Sequence, residues 1–234
     1  MKLETLSEVN AERAARRPVI VITDIADGGQ RIVKAKDIPA DPLRADLAKQ
    51  LRMGKSGTIE AGGKKLFLNV YAPTARLVII GAVHISQALA PLARSLDYDV
   101  YVVDPRTAFA SPERFPDVPL FADWPDVALP PLKVDRYTAF VALTHDPKID
   151  DPALLHAFER DCFYIGALGS RKTHAKRAER LKAQGATDAD IANIHAPIGL
   201  AIGAVSPSEI AVAIMAEITA SLRLPKESLK ENAA

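Results

Sequence analysis

A short apolar run, Leu77, Val78, Ile79 and Ile80, gives way at Gly81, Ala82 and Val83 to His84, Ile85 and Ser86, where apolar residues begin to recur at helical spacing. A turn between a strand and a helix leaves backbone N–H groups free. It also places the positive end of the helix dipole beside them, which suits a phosphate. The dinucleotide fingerprint places three glycines in such a turn. Gly81 fills the first place, whereas Val83 and Ser86 stand at the other two. A valine there holds an ordinary pyrophosphate off, and β-branching disfavours a positive φ. The turn therefore reads either as an anion site or as a connection that only packs.

Three further runs end in polar residues. Residues 100–103 lead into Asp104 and, two residues on, Arg106. Their position about twenty residues past the turn is where an acidic side chain meets ribose hydroxyls. Asp104 and Arg106 are candidates to read ribose and phosphate; the other reading of Asp104 is a loop cap before proline. Residues 139–143 run into Thr144, His145 and Asp146. His145 beside Asp146 offers a general base or an oriented donor, but one histidine and one aspartate make no metal site. Residues 163–168 run into Gly169, Ser170, Arg171 and Lys172. These open a helix with a hydroxyl and two cations, either a second phosphate grip or a serine cap on a basic helix.

Other residues carry weaker signals. Arg114, in a proline-rich loop, is a secondary candidate, and Lys176, Arg177, Arg180 and Lys182 read as a solvated face or a partner surface. His84 stands where it can donate to a phosphate, whereas His156, His174 and His195 have no distinguishing neighbours. Cys162 starts an apolar strand with no adjacent cation or histidine to lower its pKa and reads as a structural thiol.

The elements that position these residues are legible in outline. The four runs, at 77–80, 100–103, 139–143 and 163–168, alternate with helical segments, the pattern of a parallel sheet. Their carboxyl ends share one edge, where ligands collect in open α/β sheets. Ile85, Leu89, Leu92 and Leu96 form one helical face, and Asp151 with Pro152 points to a helix start at Ala153. Ser206, Pro207, Ser208 and Glu209 form a capping box before a helix with Ile210, Ile214, Ile218 and Leu222 on one face, ended by Pro225. Upstream, strands at 19–23 and 31–34 flank Asp27, Gly28 and Gly29. A helix starting at Asp41 and Pro42 carries Leu43, Leu47 and Leu51, and a glycine turn at 61–64 joins strands at 57–60 and 66–71. The expected fold class is α/β: a small α+β domain over residues 1–75, a Rossmann-like nucleotide-binding domain over 76–223, and a mobile tail over 224–234.

With 234 residues, 48% of them hydrophobic, the chain can build a full core. A net charge of +1, from 30 basic and 29 acidic residues, gives no long-range field for nucleic acid or an anionic membrane. One cysteine excludes an internal disulfide, a cysteine zinc cluster and a dithiol pair within one chain, and fits a reducing compartment. No run approaches the roughly 18 apolar residues of a membrane span, and the expectation is a cytoplasmic protein.

Taken together and in order, residues 76–223 resemble the XdhC/CoxI proteins, accessory factors for xanthine dehydrogenase and carbon monoxide dehydrogenase. The resemblance rests on Gly81–Ile85 after a strand, 103–106, 111–116, 143–150, 164–172, and 195–200 leading into 207–218. The turn with Val83 and the stretch THDPKID at 144–150 look nearest the CoxF branch. The resemblance implies a homodimer with a Rossmann domain that binds molybdenum cofactor, as molybdopterin cytosine dinucleotide, or an adenine nucleotide (ADP or ATP), and passes the modified cofactor to a molybdenum hydroxylase apoenzyme. A sulfur-transfer or other maturation protein is a further partner in that setting. The cysteine-bearing glycine motif of many relatives is missing from the amino-terminal part, so no thiol ligand to molybdenum carries over. The expected role is a cofactor chaperone rather than a stand-alone enzyme. The alternatives are an NAD(P)-dependent oxidoreductase, and a nucleotide-hydrolysing assembly factor using His145 and Asp146.

Overall fold

The computed structural model describes residues 3–225, so of the expected tail only Leu224 and Pro225 fall within it. The chain divides between Pro73 and Thr74 into two compact units. The first holds α1 (Leu3–Ala14) and four antiparallel strands, β1 (Val19–Asp24), β2 (Gln30–Lys34), β3 (Gly57–Ala61) and β4 (Lys64–Tyr71), in the order β2-β1-β4-β3. Gly62 and Gly63 both take positive φ, 58° and 73°, and close β3 onto β4 as a two-residue hairpin. Such a turn needs left-handed backbone at both central residues. Ile20, Ile22, Val33 and Leu68 pack on Leu47 of α2 (Arg44–Met53), while Val19 and Val21 pack on Val9 of α1.

One expectation in this unit is corrected, and one helix is unexpected. The helix begins at Arg44, not at Asp41 and Pro42, because the Asp41 carboxylate accepts from Leu43 N at 2.9 Å and from the Arg31 guanidinium, closing a turn ahead of the helix. The charged amino-terminal stretch is helical: α1 buries only Val9 and Glu12, too little apolar surface to register as a stripe.

The second unit is built on six parallel strands, β5 (Arg76–Ile80), β6 (Asp99–Val103), β7 (Leu120–Phe121), β8 (Thr138–Ala142), β9 (Tyr164–Ala167) and β10 (Ile194–His195). Their order is β10-β9-β8-β5-β6-β7. Counted within the unit and read from the β7 edge, this is third, second, first, fourth, fifth, sixth, the doubly wound order, with its switch point between β5 and β8. Helices α3 (His84–Ser95) and α8 (Pro207–Arg223) cover one face. On it Leu77, Ile79 and Val141 meet Leu89, Ile214 and Ile218. Helices α4 (Pro125–Leu132), α5 (Pro147–Phe158) and α6 (Arg171–Ala183) cover the other, where Val78, Ile80 and Phe140 meet Leu129, Ile149, Leu154 and Leu181. A sheet covered on both faces explains strands that are apolar throughout rather than alternating. A short helix, α7 (Asp188–Ala192), precedes β10.

The capping box of Ser206 and Glu209, with Pro207 at the first helical position, is present as expected. Leu96 leaves the expected stripe: α3 ends at Ser95, and Leu96 beyond it is 49% exposed. The helix expected to start at Ala153 begins instead at Pro147, with the Asp146 side chain capping Lys148 N at 2.9 Å and Pro152 inside the helix. That shift places Asp150 and Asp151 on a buried helical turn rather than in a loop.

Candidate functional site

At the switch point Gly81 has a φ of 109°, and a Cβ built on it lies 2.8 Å from Thr144 Cγ2 and 3.2 Å from Thr144 N. Only glycine fits so close an approach of the two loops. Ala82 N donates to Asp104 Oδ2 at 2.8 Å, and Ser86 Oγ donates back to Gly81 O. Val83 is the N-cap of α3 at φ −94° and ψ 175°. It sits in extended backbone, so the expected conflict between β-branching and positive φ does not arise; the left-handed residue of this turn is Gly81. Ile85 is buried, and His84 is exposed on the first turn of α3.

Asp104 is fully buried, and both its oxygens are engaged internally. Arg106 donates from Nε to Oδ1 at 2.9 Å and from Nη2 to Oδ2 at 2.7 Å, and its backbone N–H reaches Oδ1 at 3.0 Å. Burial pushes the Asp104 pKa up, but the guanidinium and the two backbone N–H donors outweigh it and hold the carboxyl below its usual range. The expectation that Asp104 and Arg106 jointly contact a nucleotide thus meets an internal pair: Asp104 is spent on bracing the Gly81 turn and fixing Arg106. The guanidinium stacks over Phe109, 4.5 Å from its centroid, and feels the charges of Asp146 and Asp150, so the loops after β6 and β8 converge.

The loop after β8 is organised by Asp150. Its carboxylate accepts from Thr144 Oγ1 at 2.7 Å, Thr144 N at 3.3 Å and His145 N at 3.1 Å. Asp146, expected as the partner of His145, is instead the helix cap. Burial raises the Asp150 pKa against the opposing pull of Thr144 and Arg177. At the next strand end, Gly169 has a φ of 128°, and Ser170 caps α6 by accepting from Thr173 N at 3.2 Å. Arg171 and Lys172 are exposed.

The structure therefore joins Gly81, Ala82, Asp104, Arg106 and Thr144 by direct contacts. It sets His145 and Lys172 in a pocket of about 290 Å³ with Asp150, Lys176, Arg177 and Arg180. Arg177 and Asp150 are residues that sequence reasoning misses. Arg177 is 2% exposed, not part of a solvated face. A signal for it exists, since Thr173, Arg177 and the buried Leu181 follow one another at intervals of four along one side of α6.

Three other groups are structural. Arg114 donates to Phe109 O and to Gln87 Oε1, each at 2.8 Å, tying its loop to α3. Cys162 precedes β9 rather than starting it, and burial pushes its thiol up to about 12. Native protein is expected to alkylate with iodoacetamide at pH 8 far more slowly than urea-unfolded protein; equal rates would reveal an activated thiol. His195 has a companion after all: its Nδ1 lies 3.0 Å from Glu217 Oε1, and Glu217 Oε2 accepts from Tyr164 OH at 2.6 Å and Gly199 N at 2.8 Å.

Residues 77–218, from β5 well into α8, match the XdhC Rossmann domain. The chain belongs to the XdhC family. Among its relatives, Escherichia coli YqeB is 34% identical over 159 residues, which cover 67% of this chain and 29% of that one. Escherichia coli PaoD, named a molybdenum cofactor insertion chaperone, is 32% identical over 67% of this chain and 43% of its own. A Bacillus subtilis protein, named as one of the probable subunits of xanthine dehydrogenase, is 32% identical over 65% of this chain and 44% of its own. The chain thus spans less than half the length of these curated relatives. A crystal structure described as that of a xanthine dehydrogenase, from Bacillus halodurans, superposes with a TM-score of 0.69 at 24% identity, over 96% of this chain and 68% of that one, and so shares the fold. Among the described residues no helix is long and apolar enough to cross a membrane, and no cluster of three metal-ligating side chains occurs.

Proposed function

We propose that the chain is a maturation factor for a molybdenum hydroxylase, holding a nucleotide-bearing cargo in the crevice between the ends of β5 and β8 and releasing it to the apoenzyme. The observation that carries this reading is the glycine turn at the doubly wound switch point, braced by Asp104 and pressed against Thr144. It agrees with the role that PaoD is named for and with the xanthine dehydrogenase connection of the Bacillus subtilis relative. The cargo in this reading is molybdopterin cytosine dinucleotide, or an adenine nucleotide used in handling it. The N–H groups of Val83, His84 and Ile85 at the start of α3 face one phosphate, while Gly81 and Ala82 shape the turn beneath them, their own N–H groups donating to Val103 O and Asp104 Oδ2. Arg106, fixed by Asp104, and the loops at Thr144, His145 and Gly169 to Lys172 line the remainder. The target is a carbon monoxide dehydrogenase or xanthine dehydrogenase, the CoxF resemblance pointing to the former, with the chain acting as a homodimer beside a sulfur-transfer or other maturation protein.

Calorimetry under reducing conditions with molybdopterin cytosine dinucleotide, ADP, ATP and NAD tests this. The expected result is micromolar binding, about 8 kcal/mol, of the pterin dinucleotide or an adenine nucleotide, with NAD silent. Arg171→Ala is expected to weaken it about tenfold, the loss of one charge-assisted contact. Tight binding of NAD alone would replace this reading with an oxidoreductase.

A further inference from the structure

The pocket beside α6 is lined by residues of the loop after β8, of α5 and of α6, and the Gly81 turn contributes no residue to it. Its most informative residue is Arg177. Nη2 donates to Leu168 O at 2.7 Å, yet Nε and Nη1 are buried and have no hydrogen-bond partner among the described residues. The lining carboxylate, Asp150, accepts its hydrogen bonds from Thr144 and His145. A buried guanidinium with two unpartnered nitrogens is costly, and native proteins keep such groups where something supplies the acceptor.

Charge points to the same occupant. Lys172, Lys176, Arg177 and Arg180 bring four cations to the pocket, against Asp150 and Asp151, the latter held by Arg180 at 2.6 and 3.0 Å. The surplus of two positive charges matches a dianion. Lys172 and Lys176 are exposed and free to close over an entering group, while Arg177 is fixed below them. A planar guanidinium with unmet N–H donors and two mobile ammonium groups suits a tetrahedral oxyanion.

We propose that this pocket binds a phosphate dianion, either free inorganic phosphate or the end of a phosphomonoester, through Lys172, Lys176 and Arg177. His145 and Lys172 border both this pocket and the crevice proposed for the cargo, but the inference rests on Lys176 and Arg177, which that crevice does not include, and it requires no pterin.

The test is calorimetry of the full chain in low-salt, phosphate-free buffer, titrating inorganic phosphate and, separately, CMP with cytidine as its control. Phosphate is expected to bind saturably with a stoichiometry of one per chain. Lys176→Glu, at an exposed position, is expected to weaken it at least tenfold. Lys182→Glu, further along the same helix, is the control for long-range charge and is expected to change affinity less than about twofold. CMP binding with the affinity of phosphate points to the free anion, and CMP much tighter than both phosphate and cytidine points to a phosphomonoester; in either case Lys176→Glu must abolish the advantage. No saturable binding, or equal losses in both variants, overturns the site. Arg177→Met provides a second arm: if it folds, phosphate should no longer raise its Tm as it does for the parent, and a preserved rise overturns the role of Arg177.

Discussion

Asp104→Ala is expected to destabilise the Rossmann unit by about 3 kcal/mol, lowering Tm by roughly 10 °C. Removing one partner of a buried ion pair leaves the other uncompensated, at about 3–5 kcal/mol. Here the lower end applies, because the Arg106 side chain is 32% exposed and can turn to water. Ala82 N–H cannot, and an orphaned buried donor costs about 1–3 kcal/mol by itself. Asp104→Asn keeps an acceptor for Ala82 and should lose about half as much. The folded-state pKa of Asp104 is depressed, so its stabilisation is fully present above the ordinary aspartate value near 3.9 and fades as pH falls through the lower folded value. Melts of parent and Asn variant should therefore converge on going from pH 7 to pH 3. A constant gap would show that the charge of Asp104 contributes nothing, and an Asp104→Ala variant as stable as its parent would show that the turn needs no brace.

That expected result separates two roles that look alike in sequence. An aspartate at the end of the second strand has the spacing of a ribose ligand, and only burial and hydrogen bonding show that its oxygens already have partners. The four central strands are legible because both faces of the sheet are covered, so each is a continuous apolar run flanked by polar residues. The short edge strands β7 and β10, of two residues each, carry no periodicity to read. Helix α1 hides for a different reason, since Val9 is its one buried apolar residue. The start of α5 is easily misplaced because two dipeptides, Asp146 with Pro147 and Asp151 with Pro152, have the same local signature. Only tertiary burial of Asp150 and Asp151 tells them apart, and with that error goes the carboxylate that organises the His145 loop.

Glu217→Ala is expected to lower stability by a further amount of the same order, about 3 kcal/mol, and to loosen the segment after β10. One carboxylate, 16% exposed, joins three elements: the Tyr164 hydroxyl of β9, the His195 imidazole of β10, and Gly199 N in the loop that follows. Tyr164 is 1% exposed, so its hydroxyl finds no water when the carboxylate is cut away, and the Tyr164 and His195 rings, 4.5 Å apart, lose the group that aligns them. Burial raises the Glu217 pKa, but hydrogen bonds from His195 and Tyr164 outweigh it and leave the pKa lowered. The stabilisation is thus complete above the ordinary glutamate value near 4.3 and is lost as pH falls through the folded value. Tyr164→Phe removes one donor and leaves the other two, so its cost should stay near 1 kcal/mol. A double-mutant cycle between the two positions should return a coupling of roughly 1 kcal/mol or more, as for residues sharing one network. Additive effects would mean that Tyr164 and Glu217 act separately. Hydrogen exchange supplies the second readout: the Gly199 amide, protected by Glu217 Oε2 in the parent, should exchange faster in Glu217→Ala while amides of β5 and β8 do not. Uniform acceleration would instead indicate global destabilisation without a local tether.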